Sequence, residues 1–172
     1  PDDMVLDLLI EQDLSVGIVM FYMSESDVQL AMQNPLLSFD SDGTAASPDF
    51  GGQPHPRWYG TFPRVLGHYV RELGVLRLED AVRRMTSLAA ARMGILDRGI
   101  VRPGMWADLV VFDPDLVIDR ATFDNPHQFP EGIGDVIVNG VAVIRGGEHT
   151  GALPGRPIFG PGRKETGTPG TN

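Results

Sequence analysis

One carboxylate stands where a folded chain places reactive side chains, and the loop after it carries a histidine and an arginine. Leu36-Leu37-Ser38-Phe39 is a short apolar run leading into Asp40-Ser41-Asp42-Gly43. It reads as a buried strand that delivers Asp42 at its C-terminal tip, with Gly43 allowing a sharp turn without a Cβ clash. A Pro/Gly-rich loop follows and carries His55-Pro56-Arg57. In an α/β barrel the loops after the strands build the site, so such a tip is where reactions are run. The same residues also fit a plain strand end, in which Asp42 makes an Asx turn with its own backbone. Asp40 precedes Asp42 by two residues and shares its strand face, as a supporting partner or as a repelling like charge.

The elements that must position these residues are legible from spacing. Met4, Val5, Leu8 and Leu9 recur at helical intervals over residues 3–11, with acidic residues at the start. Ser15–Tyr22 is a dense apolar run that suits a strand buried on both faces. Ser24 with Asp27 resembles a capping box opening a helix to about Gln33, which Pro35 stops. Leu36–Phe39 is then the next strand. Helix, strand, helix, strand with short connections is the pattern of parallel βα units. A closed barrel needs eight strands and about 250 residues, so most of such a sheet lies outside these segments.

From Gly43 to Gly60 the composition is that of a long loop. Thr61 is placed to cap a helix whose stripe is Phe62, Val65, Leu66, Tyr69, Val70 and Leu73, with Pro63 in its first turn and Gly74 as its stop. Leu78–Met85 continues as a helix with Val82 and Met85 inward, and Ser87 caps a short one ending at Gly94. After Gly99 the character turns to β. Ala107–Phe112 is a strand closed by Asp113-Pro114, residues 115–134 are a polar connection, and Asn139-Gly140 between two apolar runs is a strong hairpin signal. The tail is Gly/Pro/Thr-rich and reads as poorly ordered.

The totals exclude several classes. With 172 residues, 42% apolar and 22% charged, the chain is one soluble globular domain or parts of two. A net charge of -9 argues against a broad nucleic-acid-binding face, which needs clustered Lys and Arg. No apolar run nears the roughly 18 residues of a membrane helix, and no signal peptide is visible. The absence of cysteine removes disulfides and thiolate zinc sites from this chain and fits a reducing, cytoplasmic setting. A chain opening Pro1-Asp2-Asp3 without Met reads as a piece of something longer.

Against this background, Gly99-Ile100-Val101-Arg102-Pro103-Gly104-Met105-Trp106-Ala107-Asp108-Leu109-Val110-Val111-Phe112-Asp113 resembles the late strand segment of the amidohydrolase superfamily. The Val138–Val141 hairpin is similar to the one that follows it there. Ser41-Asp42-Gly43, the block His55-Pro56-Arg57-Trp58-Tyr59-Gly60-Thr61-Phe62-Pro63-Arg64-Val65-Leu66-Gly67, and His149–Arg156 resemble the N-acyl-D-amino-acid deacylases in particular. The resemblance runs from about residue 4 to about residue 157. It implies an α/β fold: residues 1–98 as the last βα units of a metal-dependent (β/α)8 barrel with a catalytic loop, 99–157 as a β-rich part of a small β-sandwich, and 158–172 as a disordered tail.

The same resemblance implies roles. Asp42 matches the carboxylate that serves as metal ligand and general base, and Arg57 matches the arginine that binds the substrate carboxylate. Zinc lowers the pKa of bound water to about 7 and polarises an amide carbonyl. A neighbouring carboxylate can move that water's proton to the leaving amine, and an arginine fork grips a carboxylate with two parallel hydrogen bonds. His55 either helps shape the substrate pocket or serves as a turn residue beside two prolines. Trp58 and Tyr59 either line the pocket mouth or pack under the loop.

The family's His-x-His, bridging Cys and later metal histidines have no counterpart in this chain. Its four histidines, His55, His68, His127 and His149, lack metal-cluster spacing; His68 reads as a surface or packing residue, and His127 and His149 as solvated loop residues. The expectation is therefore the C-terminal portion of a zinc-dependent deacylase of N-acyl-D-amino acids, inactive on its own. It would associate with the rest of the barrel or with itself, and bind neither nucleic acid nor membrane. The alternatives are an amidohydrolase acting on cyclic amides, dihydroorotase- or hydantoinase-like, and a non-catalytic structural fragment.

Overall fold

Two separate signals, helical stripes before Gly99 and alternating apolar residues after it, produce two differently built halves. The computed structural model describes residues 2–14, 16–18, 20–45 and 47–160. The first half holds α1 (Asp2–Glu11), α2 (Glu25–Met32), a short 3-10 turn at Pro48–Phe50, α3 (Arg57–Arg64), α4 (Leu78–Met85) and α5 (Ser87–Arg92). The second holds β1 (Leu109–Phe112), β2 (Ile133–Val138), β3 (Val141–Arg145) and β4 (Glu148–His149), a sheet ordered β1-β2-β3-β4 with every pair antiparallel.

The capping expectation for α2 holds: the Asp27 amide donates to Ser24 Oγ at 3.2 Å. The two strands expected before the loop do not form. The described residues of 15–22 and the run 36–39 are irregular, with Ser15 and Val19 outside the described residues. A strand of a parallel sheet exists through its neighbours' hydrogen bonds. No parallel neighbour is present among the described residues, and Ile18, Met20, Phe21 and Tyr22 stay exposed. Phe39 nevertheless packs against the core, so that segment is placed by its side chain rather than by a ladder.

The main helix also starts earlier than its stripe suggests. α3 begins at Arg57, and Thr61, expected as its cap, lies inside it with Oγ1 donating to the Arg57 carbonyl at 3.0 Å. Pro63 is consequently interior, and the turns after it open into a π-helix over Val65–Glu72. The wider turns rotate the ends of the stripe off the core: Val65 and Tyr69 are buried, while Phe62 and Leu73 are exposed. On α4 the inward residues are Ala81 and Arg84; Val82 is exposed and Met85 is packed against the core. Ser87 is the first residue of α5 rather than its cap, and Gly94 ends it at φ +70°.

The core is Val65, Leu76 and Ala81, with Met32, Phe39, Leu66, Val70, Val75 and Met85 around it. The two halves are joined by the connection between β1 and β2. Val117, fully buried, lies over Gly67, and Arg71 Nη1 donates to the carbonyls of Val117 at 2.7 Å and Pro114 at 3.2 Å. Asp119 sits over Gly60 and accepts from Arg64 at 3.3 Å.

The β half follows its sequence. Asn139 (φ +49°) and Gly140 (φ +82°) form the hairpin turn, pairing Val138 with Val141. Arg98 binds Asp108 and the Asn139 side-chain oxygen, Arg98 and Arg156 lie on the Trp106 ring, and Asn139 Nδ2 donates to the Pro154 carbonyl at 2.8 Å. The expected disordered tail falls mostly on residues 161–172, outside the described residues.

Candidate active site

The acidic turn is built differently from a strand end with a following glycine hinge. Asp42 itself takes the left-handed conformation, φ +45°. Such a conformation is uncommon for residues other than glycine, though asparagine and aspartate adopt it more readily, and it recurs at functional sites. The local side-chain turn is made by Ser41, whose Oγ accepts from the Gly43 amide at 3.2 Å. Gly43 contributes close approach instead of a hinge: a Cβ there would stand 3.3 Å from the Trp58 Cα. The turn thus lies directly against the start of α3.

That contact brings Asp42 and Arg57 together. Arg57 Nε donates to the Asp42 carbonyl at 2.9 Å, and Nη2 meets Asp42 Oδ2 at 3.0 Å. The Asp42 side chain is 83% exposed, so its carboxylate is anchored on one side and open on the other. Asp40 is exposed, and the left-handed turn at Asp42 breaks the strand alternation that would have put both carboxylates on one face.

His55 holds the turn into α3. Its Nδ1 accepts the Arg57 amide at 3.1 Å, and its ring stands edge-on to Phe123 at 4.9 Å. Burial first, then the Arg57 guanidinium, lower its pKa below the ordinary value, with Asp42 opposing. An unprotonated Nδ1 is what that accepted bond needs. Tyr59 packs under the loop, its hydroxyl 2.8 Å from His127 Nδ1 and its ring 5.6 Å from Phe129. His127, expected in solvent, is half-buried, and its Nε2 is 3.2 Å from the Gly52 carbonyl. No periodicity signals this contact, because the partners are 68 and 75 positions apart. His68 pairs with Glu72 at 2.8 Å on the helix surface, and His149 is exposed, accepting from the Gly151 amide.

Among the described residues no group of three or more His, Cys, Asp or Glu is arranged to hold a metal ion. No helix among them is long and apolar enough to cross a membrane.

Comparison with known proteins places this geometry in a family. The chain is 47% identical over 142 residues to a D-aminoacylase of Alcaligenes xylosoxydans xylosoxydans, covering 83% of this chain and 28% of that protein. It is 45% identical to an N-acyl-D-aspartate deacylase of the same organism, over 85% of this chain and 28% of the relative. The crystal structure of a D-aminoacylase superposes with a TM-score of 0.70 at 49% identity, covering 76% of this chain and 27% of that one. An N-acyl-D-glutamate deacylase from Bordetella bronchiseptica, solved with zinc and a phosphonate inhibitor, superposes at 0.65 and 45% identity over 80% and 26% of the two chains. The chain thus spans little more than a quarter of the length of these relatives. With the amidohydrolase family pattern matched over residues 12–144, the chain belongs to the amidohydrolase family.

Proposed function

We propose that these residues form the C-terminal portion of a zinc-dependent hydrolase that cleaves N-acyl-D-amino acids to a D-amino acid and a carboxylate. Residues 1–98 would supply the last βα units of a (β/α)8 barrel and 99–157 part of a small β-sandwich. The observation that carries the reading is the contact between Asp42 and Arg57, a carboxylate and a guanidinium joined at an open turn. The D-aminoacylase and N-acyl-D-amino-acid deacylase relatives support the substrate class.

The donor chemistry fits. Asp42 offers an exposed carboxylate oxygen, a ligand type that zinc accepts, and the other ligands would come from the rest of the protein. A bound zinc ion would polarise the amide carbonyl and activate water as a nucleophile. Asp42 would receive the proton of that water and return it to the departing amine. Arg57 would grip the substrate carboxylate, with Nε kept on the Asp42 backbone as a fixed pivot. The Asp42–Arg57 side-chain pair does not obstruct this. Arg57 is 41% and Asp42 83% exposed, and ion pairs so solvated are worth about 1 kcal/mol or less. A pair this weak would leave Asp42 free to serve as a zinc ligand and Arg57 free to bind the substrate carboxylate. His55 would bear on the substrate side by fixing the backbone that carries Arg57.

The test is Asp42→Asn beside wild type in the complete enzyme, assayed with N-acyl-D-amino acids, their L-enantiomers and cyclic amides. Loss of turnover with an unchanged melting curve is expected. Near-normal turnover, or hydrolysis confined to cyclic amides, overturns the reading.

A further inference from the structure

The loop that carries Arg57 is short of internal support. Among the described residues between Gly43 and Pro56 its regular structure is one 3-10 turn, and Gly51 (φ +64°) and Gly52 (φ +76°) follow that turn in conformations glycine adopts freely. A guanidinium at the end of such a segment is well placed only if something outside the loop holds it. On one side the Asp42 turn holds the guanidinium; the backbone of the loop itself is held from outside by a stretch of the β1–β2 connection, residues 123–127. The Gln53 side chain donates to the Phe123 carbonyl, the Phe123 ring meets His55, and His127 bridges the Gly52 carbonyl and the Tyr59 hydroxyl.

The supporting stretch is itself cross-linked by hydrogen bonds. Gln128 Nε2 donates to the carbonyls of Arg120 at 2.7 Å and Asn125 at 2.9 Å, and the Asn125 amide donates to Thr122 Oγ1 at 3.0 Å. Ala121 and Pro126 are buried beneath it. The His127 contacts also fix a tautomer. A carbonyl only accepts, so Nε2–H must donate to Gly52, and in the neutral ring Nδ1 then accepts the Tyr59 O–H. One imidazole thereby ties the loop before Arg57 to the first turn of α3 just after it.

We infer that His127 is a positioning residue for substrate binding, a brace that holds the 52–59 segment so that Arg57 meets the substrate carboxylate. The inference rests on the Arg57 role proposed above. His127 touches neither substrate nor metal in this scheme; it acts through Gly52 and Tyr59.

The test compares His127→Ala, His127→Gln and Tyr59→Phe in the complete enzyme against wild type. Two substrates are used, an N-acyl-D-amino acid and its α-carboxamide, which lacks the carboxylate. Loss of one or two neutral hydrogen bonds predicts KM for the acid raised about tenfold in His127→Ala, less in Tyr59→Phe, with kcat within about twofold. KM for the carboxamide is expected to stay put, and His127→Gln, which keeps a donor and an acceptor, to recover part of the loss. Hydrogen exchange over residues 51–60 is expected to quicken about tenfold in His127→Ala and to be largely restored in His127→Gln. Equal KM changes for both substrates, a fall in kcat alone, or unchanged exchange overturns the brace. If wild type hydrolyses neither substrate, the functional reading fails, while the exchange result still decides whether His127 holds the loop.

Discussion

Arg84 is buried to 2% exposure on α4, where a hydrophobic pattern places Val82 instead. Its charge is met by Asp80 at 2.7 Å and by the Met32 carbonyl. Removing one partner of a buried pair leaves an uncompensated charge, which costs roughly 3–5 kcal/mol. Asp80 is 23% exposed and the Met32 carbonyl remains, so Asp80→Ala is expected at the low end, about 3 kcal/mol by urea unfolding of the complete protein. The same carboxylate carries a pH dependence. Burial pushes its pKa up, but the hydrogen bonds and charges of Arg83 and Arg84 outweigh this and hold it below the ordinary aspartate range. The unfolded chain then binds the proton more readily than the folded one, so this stabilisation is present above about pH 4 and lost as pH falls through the folded pKa. The acid-side slope of melting temperature against pH is expected to flatten in Asp80→Asn. Helical spacing pointed to Val82 and Met85 as the inward residues of this helix and passed over the Asp80–Arg84 pair, since burial depends on what packs over α4. Asp42 stood out in the sequence by its place after an apolar run, and Arg57 through the family resemblance of its block. Their contact was not legible, because it depends on a left-handed turn at Asp42 and a bare Gly43 against Trp58.

At the level of elements, local signals and long-range packing separate clearly. The α2 cap and the Asn139-Gly140 hairpin are local and form as the sequence implies. The start of α3 does not, because His55 supplies an acceptor to the Arg57 amide and lets the helix begin four residues before Thr61. Two glycines measure the difference between backbone and packing demands. Gly74 has φ +62° and open space around a would-be Cβ, so Gly74→Ala is expected to cost only the left-handed strain, about 1–2 kcal/mol. Gly67 has ordinary backbone, but a Cβ there would lie 2.4 Å from the Val117 carbonyl oxygen and 2.6 Å from Ile118 Cδ1. The backbone oxygen cannot swing away, so Gly67→Ala must push the β1–β2 connection off the π-helix and is expected to cost about 3 kcal/mol or more. Paired thermal melts of the two variants check the ranking; an equal or reversed order would mean that the connection yields easily. Nothing near Gly67 in sequence announces this role, since its partner lies fifty positions on.

For the whole molecule, the decisive feature is apolar surface with no cover. Met4, Leu14, Ile18, Met20, Phe21, Tyr22 and Met23 are exposed before α2, and Val110 and Val111 on the edge strand β1. The alternation of helical and strand-like stretches suggested βα units, but the strand-like stretches are irregular, and local spacing could not show that they lack neighbours to pair with among the described residues. Scattered exposed apolar side chains are normal, but a run of this length beside irregular backbone marks an association surface. The free edge of β1 adds a template for strand addition. Under the proposed function this surface would be covered by the rest of a barrel, so the 172 residues alone should not be a well-behaved monomer. Purified by themselves, they are expected to sediment with a mass that rises with concentration. They should also bind an apolar dye and melt over a broad range. Adding the remaining barrel segments as a separate polypeptide should suppress dye binding and restore deacylation in a zinc-dependent way. A stable monomer with a sharp two-state transition and no dye binding would show that the exposed face is self-sufficient, and that no barrel neighbour is needed to complete the fold.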